Sequence, residues 1–234
     1  IRMHFFRHLY FSWRCLFAYA SEEEVGVDFC EKARQETDYY WKVSFEHPFV
    51  QGIANGTLEL EKFKFYMLQD AYYLKHYTKL LAMLAAKATE DEDVAYFLET
   101  ANFIREAELE LHRTTFKELQ VTEEELEKFE PAPAAYNYVS HMYQAFYTGT
   151  IADAYAAILP CPWLYQEIGA ALRKAKPNVE LYQQWIDLYA SAEMEQTIAK
   201  QKAMMNRFAQ MPGNNERELM AHFKRSCYYE WQFW

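Results

Sequence analysis

The sequence predicts an all-α protein, a single-domain helical bundle, and three observations carry that prediction. From Val27 onward, apolar residues recur at three- and four-residue steps almost without interruption. No stretch alternates with the period of two that a half-buried strand requires. Gly and Pro, which punctuate turn-rich β folds, number only 6 and 7 in 234 residues, too few for a sandwich or barrel of many short strands.

The elements follow in order. Asp28 caps a helix that runs to about residue 46, where His47 is pushed out of the α region by Pro48. Residues 51–57 hold two glycines and read as a loop, with Thr57 as the next N-cap; no Gly-Lys pair follows, so the loop is no phosphate cradle. Across 58–88 a single stripe runs through Phe63, Met67, Asp70, Tyr73 or Leu74, Tyr77, Leu81 and Leu84. A helix over 91–119 turns Val94, Phe97, Ala101, Ile104 and Leu111 inward, and Thr122 with Glu125 forms a capping box for a short helix. Pro131 and Pro133 break the chain before helices at 134–147, 151–159, after Pro162, 179–211 and 214–234. Eight to ten helices and no internal repeat make one domain over residues 27–234.

Residues 1–26 differ in character. The first twenty hold Arg2, Arg7 and Arg14, no acid and many aromatics, before Glu22, Glu23 and Glu24 change the composition. They read as an N-terminal extension: an organelle-targeting segment, an upstream translated stretch, or a helix docked on the body.

Composition excludes several classes of function. With 34 acidic and 24 basic residues the net charge is −10, which repels phosphate backbones, so no nucleic-acid partner is expected. The longest uncharged stretch, 131–152, contains prolines, Asn137, His141 and Gln144, so no membrane span is expected. Cys15, Cys30, Cys161 and Cys227 form no C-x-x-C pair, which argues against a zinc ribbon or a disulfide scaffold and for a reduced, cytoplasmic setting.

Three residues stand out chemically. Asp70 interrupts an apolar stripe, and a buried carboxylate needs either tyrosine hydroxyls or a polar ligand to satisfy it. Cys161 lies between Pro160 and Pro162 at a helix junction; it is either a buried core cysteine or a thiol whose pKa the helix dipole depresses. Glu230 is the only charge in Cys227-Tyr-Tyr-Glu-Trp-Gln-Phe-Trp234, surroundings that raise a carboxyl pKa toward neutrality if the side chain is buried. Glu106, Glu108 and His112 miss the Glu-x-x-His spacing of di-iron bundles and read as a solvated face, and His141 reads as a core histidine.

The stretches HPFVQGIANGTL (47–58), FKFYMLQDAYYL (63–74), AYNYVSHMY (135–143), LPCPWLYQEIG (159–169), WIDLYAS (185–191) and YYEWQFW (228–234) resemble the TenA, or thiaminase II, family of the haem-oxygenase-like all-α superfamily. LPCPWLYQEIG resembles its cysteine-containing branch. The resemblance implies a homotetramer of helical bundles, each with a pocket for a 4-amino-2-methylpyrimidine ring. It implies hydrolysis at the ring's exocyclic methylene, with thiamin or aminomethylpyrimidine as substrate and no metal or organic cofactor. Cys161 then matches the nucleophile, Glu230 the acid/base, and Asp70 the carboxylate that holds the aminopyrimidine. Tyr73, Tyr138, Tyr165, Tyr189 and Phe233 match residues that line or orient the pocket. The alternatives are a non-catalytic pyrimidine-binding or regulatory protein and an oxidoreductase on the same scaffold. Family members commonly carry a short tail beyond the residue matching Trp234, so a more open pocket is expected here.

Overall fold

The computed structural model describes residues 28–234, and the side chains of all of these but 107–109 and 111–113. The extension at 1–26, with its targeting role and Cys15, therefore lies outside the described residues, as do the side chains of Glu108, Leu111 and His112. The described residues form twelve helices and no strand.

Two predicted helices are each divided by a hydroxyl. Asp28 accepts from Glu31 N at 2.8 Å and opens α1, Phe29–Glu36. Thr37 then leaves helical geometry: its Oγ1 donates to Ala33 O at 2.6 Å and accepts from Trp41 Nε1 at 3.0 Å, a local bond that competes with the backbone ladder. The chain resumes as α2, Asp38–Phe45. Likewise, Ser191 accepts from Met194 N at 3.2 Å and separates α10, Glu180–Tyr189, from α11, Ala192–Ala209.

The loop expected at 51–57 is mostly helix. Pro48 opens α3, Pro48–Asn55, with His47 as cap, and Gly56 closes it at φ +70°, the arrangement in which proline fits the start of a helix and glycine its end. Gly52 lies inside α3, where a Cβ would stand 3.0 Å from Leu58 Cβ; it permits close packing and makes no turn.

The long helices form the body. α4, Leu60–Lys87, and α5, Asp91–Glu118, are joined by a short link and pack against each other. The predicted α4 stripe is buried throughout, with Tyr73 rather than Leu74 facing inward. On α5, Phe97 and Ala101 are buried and Val94 and Ile104 pack at the core edge. α6, Glu123–Glu127, carries the predicted capping box, and α7 is Pro133–Thr148. In α8, Ile151–Ile158, alanines at 152, 154, 156 and 157 let α12, Glu216–Phe233, approach closely, and Ser226 Oγ donates to Ala157 O at 2.6 Å. α12 also packs on α2, α7 and α9, Pro160–Leu172. Trp41, Phe63, Tyr138, Tyr182 and Phe223 are among the largest fully buried side chains of the core, each contributing roughly 1.5–3 kcal/mol through loss of apolar surface from water.

Among the described residues, no helix is long and apolar enough to cross a membrane, and no group of three His, Cys, Asp or Glu stands together as metal ligands. Glu106 is exposed. His141 is buried and its Nε2–H donates to His222 O at 3.2 Å; burial lowers its pKa to about 4, so the ring is neutral, a satisfied core histidine.

Candidate active site

Helical spacing brings the singled-out residues together. On α4, Tyr66, Asp70, Tyr73 and Tyr77 follow at steps of four, three and four and share the inward face. Cys161 and Tyr165 stand one turn apart on α9, Trp185 and Tyr189 one turn apart on α10, and Glu230 and Phe233 one turn apart at the end of α12. Tyr138 comes from α7. All eight predicted site residues therefore belong to five helices that converge on one chamber.

Aromatic rings form its walls. Tyr73 meets Tyr138 at 5.0 Å between ring centroids and Phe233 at 5.9 Å. Tyr165 meets Tyr189 edge-on at 4.9 Å. Such tilted and edge-to-face pairs are the favoured aromatic geometries. Tyr66, Trp185 and Trp234 were not anticipated. Tyr66 OH donates to Tyr165 OH at 3.1 Å and accepts from Trp185 Nε1 at 3.4 Å, which ties α4 to α9 and α10. The signal for Tyr66 was present, since it precedes Asp70 by one helical turn; Trp185 similarly precedes Tyr189. Trp234 packs between Tyr165, at 5.0 Å, and Phe49, at 5.9 Å.

The polar groups inside are few. Asp70 is buried and couples electrostatically to Tyr66, Tyr189, Cys161 and Glu230. Glu230 is 2% exposed. Burial pushes its carboxyl up to about 8; the Tyr138 hydroxyl and the Cys161 thiol oppose that, and Asp70 adds to it. Glu230 Oε1 and the hydroxyls of Tyr73 and Tyr138 have no hydrogen-bond partner of normal geometry, although they lie close enough to influence one another's ionisation.

Of the two readings of Cys161, the structure favours the buried, protonated thiol. It does sit in the first turn of α9, behind Pro160, but the helix dipole is worth only about 0.3–1 kcal/mol there. Burial, followed by the Glu230 charge, holds the thiol well above its ordinary pKa, and only the Tyr73 hydroxyl works toward the thiolate. The residue is half-buried by surface yet desolvated. Cys30 and Cys227 are buried core thiols, Cys30 pushed up to about 12 by burial.

A cavity of about 620 Å³ lies beside the chamber, among His47, Phe49, Leu58, Tyr66, Phe233 and Trp234. It does not contain Cys161 or Glu230. Tyr66, Phe233 and Trp234 line it.

The fold and this arrangement define an all-α bundle in which a few buried polar side chains gather among aromatic rings from five helices. The chain belongs to the TENA/THI-4/PQQC family, whose pattern it matches over residues 34–234. It is 41% identical over 212 residues to an aminopyrimidine aminohydrolase of Bacillus subtilis (strain 168), a match that covers 89% of each chain. It is 34% identical over 212 residues to an aminopyrimidine aminohydrolase of Halalkalibacterium halodurans, covering 89% of this chain and 94% of that one. The solved structure of a TenA homologue from P. horikoshii OT3 superposes with a TM-score of 0.81 at 33% identity, over 89% of this chain and 97% of the other.

Proposed function

We propose that this protein is a hydrolase of the thiaminase II, or aminopyrimidine aminohydrolase, type. It converts thiamin or 4-amino-5-aminomethyl-2-methylpyrimidine to 4-amino-5-hydroxymethyl-2-methylpyrimidine, with Cys161 as nucleophile and Glu230 as acid/base. The observation that carries this is the meeting of Cys161 and Glu230 inside a tyrosine-walled chamber, in a chain 41% identical to an aminopyrimidine aminohydrolase.

Both groups are protonated at neutral pH, and that suits the chemistry. The thiol adds across a ring C=N bond: sulfur bonds to the carbon, and a proton reaches the nitrogen. One carboxyl oxygen of Glu230 gives its proton to that nitrogen while the other takes the proton of the thiol, so no net charge develops in a buried site. The ring, no longer aromatic, expels the amine or the thiazole from the methylene. Water then adds to the methylene, the C–S bond breaks, and the proton shift runs in reverse. Tyr73 donates toward sulfur while charge builds there. Asp70 accepts from the exocyclic amino group of the ring, and Tyr138, Tyr165, Tyr189 and Phe233 hold the ring by stacking and hydroxyl contacts.

This reading takes residues 27–234 as one domain acting in the cytoplasm, as a homotetramer and without cofactor. Phe103 and Tyr147, 70% and 72% exposed, supply apolar surface that a second copy would cover. The test is chromatographic: incubation with each substrate should release hydroxymethylpyrimidine. Pyrimidine binding without release from either would instead make it a binding protein.

A further inference from the structure

Tyr66, Trp185 and Tyr165 are buried and come from α4, α10 and α9. Their polar atoms form a chain: Trp185 Nε1 lies 3.4 Å from Tyr66 OH, which lies 3.1 Å from Tyr165 OH. Packing leaves the rings little freedom to turn. Tyr66 meets Phe49 at 4.9 Å and Phe63 at 5.9 Å, while Trp185 meets Tyr165 at 5.8 Å and Tyr189 at 4.9 Å. Phenylalanine at position 66 would fill the same apolar space with no buried hydroxyl to satisfy, so what the hydroxyl adds is its pair of bonds.

The chain has a direction. An indole N–H donates and never accepts, so the Tyr66 oxygen is the acceptor of the first bond, and its own hydrogen goes to Tyr165. A phenol carries its hydrogen in the ring plane, on one side of the oxygen or the other. With one side of the Tyr165 oxygen taken by Tyr66, the Tyr165 hydrogen turns to the opposite side. Tyr165 follows Cys161 by one turn of α9, and Tyr66 precedes Asp70 by one turn of α4; Tyr165 stands near enough to Glu230, Asp70 and Cys161 for all three to act on its ionisation.

We propose that Trp185 and Tyr66 are positioning residues that make Tyr165 a hydrogen-bond donor to the substrate, and that the group it selects is a ring nitrogen beside an amino-bearing carbon. The inference rests on the hydrolase reading and adds a determinant of specificity to it. The pyrimidine has two ring nitrogens. Glu230 serves the nitrogen of the bond to which sulfur adds. The other lies between the amino-bearing and methyl-bearing carbons, has a lone pair and no hydrogen, and neighbours the amino group held by Asp70. A fixed donor matches that lone pair, whereas a ligand with C–H at the same place leaves the Tyr165 hydroxyl unpaired in a buried site.

Calorimetric titration tests this with two ligands, hydroxymethylpyrimidine and 4-amino-5-hydroxymethyl-2-methylpyridine, in which C–H replaces that nitrogen. The ratio of their Kd values is read in wild type, Trp185→Phe, Tyr66→Phe, Tyr165→Phe and the Trp185→Phe/Tyr165→Phe double variant, with thermal midpoints recorded alongside. The pyridine's greater basicity enters every ratio alike, and a packing defect weakens both ligands together, so a merely structural role leaves the ratio unmoved. Trp185→Phe frees Tyr66 to accept from Tyr165, and Tyr66→Phe frees the Tyr165 hydrogen to turn; cutting the two links separately keeps the test open where one variant does not fold. The inference predicts that the preference for the pyrimidine falls about 2- to 12-fold in each. It falls at least as far in Tyr165→Phe, and no further when Trp185→Phe is added to it. An unchanged ratio in Tyr165→Phe overturns Tyr165 as the donor, and an unchanged ratio in both Trp185→Phe and Tyr66→Phe overturns the positioning. A wild type that binds neither ligand overturns the hydrolase reading instead.

Discussion

The Cys161 thiol and the Glu230 carboxyl face each other from α9 and α12, and neither is ionised at neutral pH. Burial is the first cause for both, and the Glu230 charge is the second for Cys161. The thiol in turn donates toward the carboxylate and offsets part of Glu230's burial. The pair is therefore a proton-sharing unit, not a preformed thiolate with a separate acid. Alkylation of Cys161 by iodoacetamide should be slow at pH 7 and rise only above the ordinary thiol range near ~8.5. Glu230→Gln removes the negative charge and should move that profile to lower pH. A wild-type rate already on its plateau at pH 7 would contradict this account.

Glu230 also ties stability to pH. Its carboxyl titrates near 4.5 in an unperturbed chain and at about 8 when folded, so between those values the folded state holds the extra proton. The stability it contributes is fully present below about 4.5 and is lost as pH rises through about 8, at ~1.4 kcal/mol per pH unit inside the window. His141 has the opposite sign: its pKa is lowered from 6.5 to about 4, so stability falls as pH drops through that range. Both proteins contain His141, so the difference between Glu230→Gln and wild type isolates Glu230. Urea midpoints should show the variant gaining on the wild type from pH 5 to 8 and holding level above.

Gly169 sets the distance between α9 and α10. A Cβ there would stand 2.6 Å from Tyr189 Cβ and 2.7 Å from Ala190 N, and backbone cannot yield as a flexible side chain does. Gly169→Ala should cost about 1–3 kcal/mol by overpacking and displace Tyr189 from Tyr165. Thermal midpoint and pyrimidine affinity should fall together; a variant that loses stability but binds pyrimidine as before would remove Tyr189 from the ring's seat.

Asp70→Asn keeps shape and removes charge. Losing a charged hydrogen bond to the exocyclic amino group should weaken hydroxymethylpyrimidine binding by about 1.5–3 kcal/mol, roughly 10- to 150-fold in Kd. Calorimetric titration reads this directly, and an unchanged Kd would mean that Asp70 is only a satisfied core carboxylate.

Much of the site was legible because its residues break local patterns. Asp70 stands in an apolar stripe, Cys161 between two prolines, and Glu230 alone among aromatics. The structure places the three close enough to influence one another's ionisation. Their protonation was not legible: a thiol at a helix start suggests a thiolate, and only the three-dimensional neighbours show that burial and Glu230 outweigh the dipole. The helix breaks at Thr37 and Ser191 were missed because a single hydroxyl bond decides them, and apolar periodicity continues across both. α3 was missed because Gly52 and Gly56 look like loop residues, although one is packing and the other a C-cap. Tyr66 and Trp185 were hidden among the many aromatics of their helices, since spacing alone does not tell a chamber wall from core.

The central claim is that Cys161 acts as the nucleophile of a pyrimidine hydrolase, and Cys161→Ala tests it most directly. Hydroxymethylpyrimidine release from thiamin and from aminomethylpyrimidine is followed in wild type and variant, with hydroxymethylpyrimidine binding measured on both. The account predicts that the variant binds the ring and loses on the order of 10³-fold or more of its turnover. A Cys161→Ala protein that hydrolyses either substrate within tenfold of the wild type would contradict it.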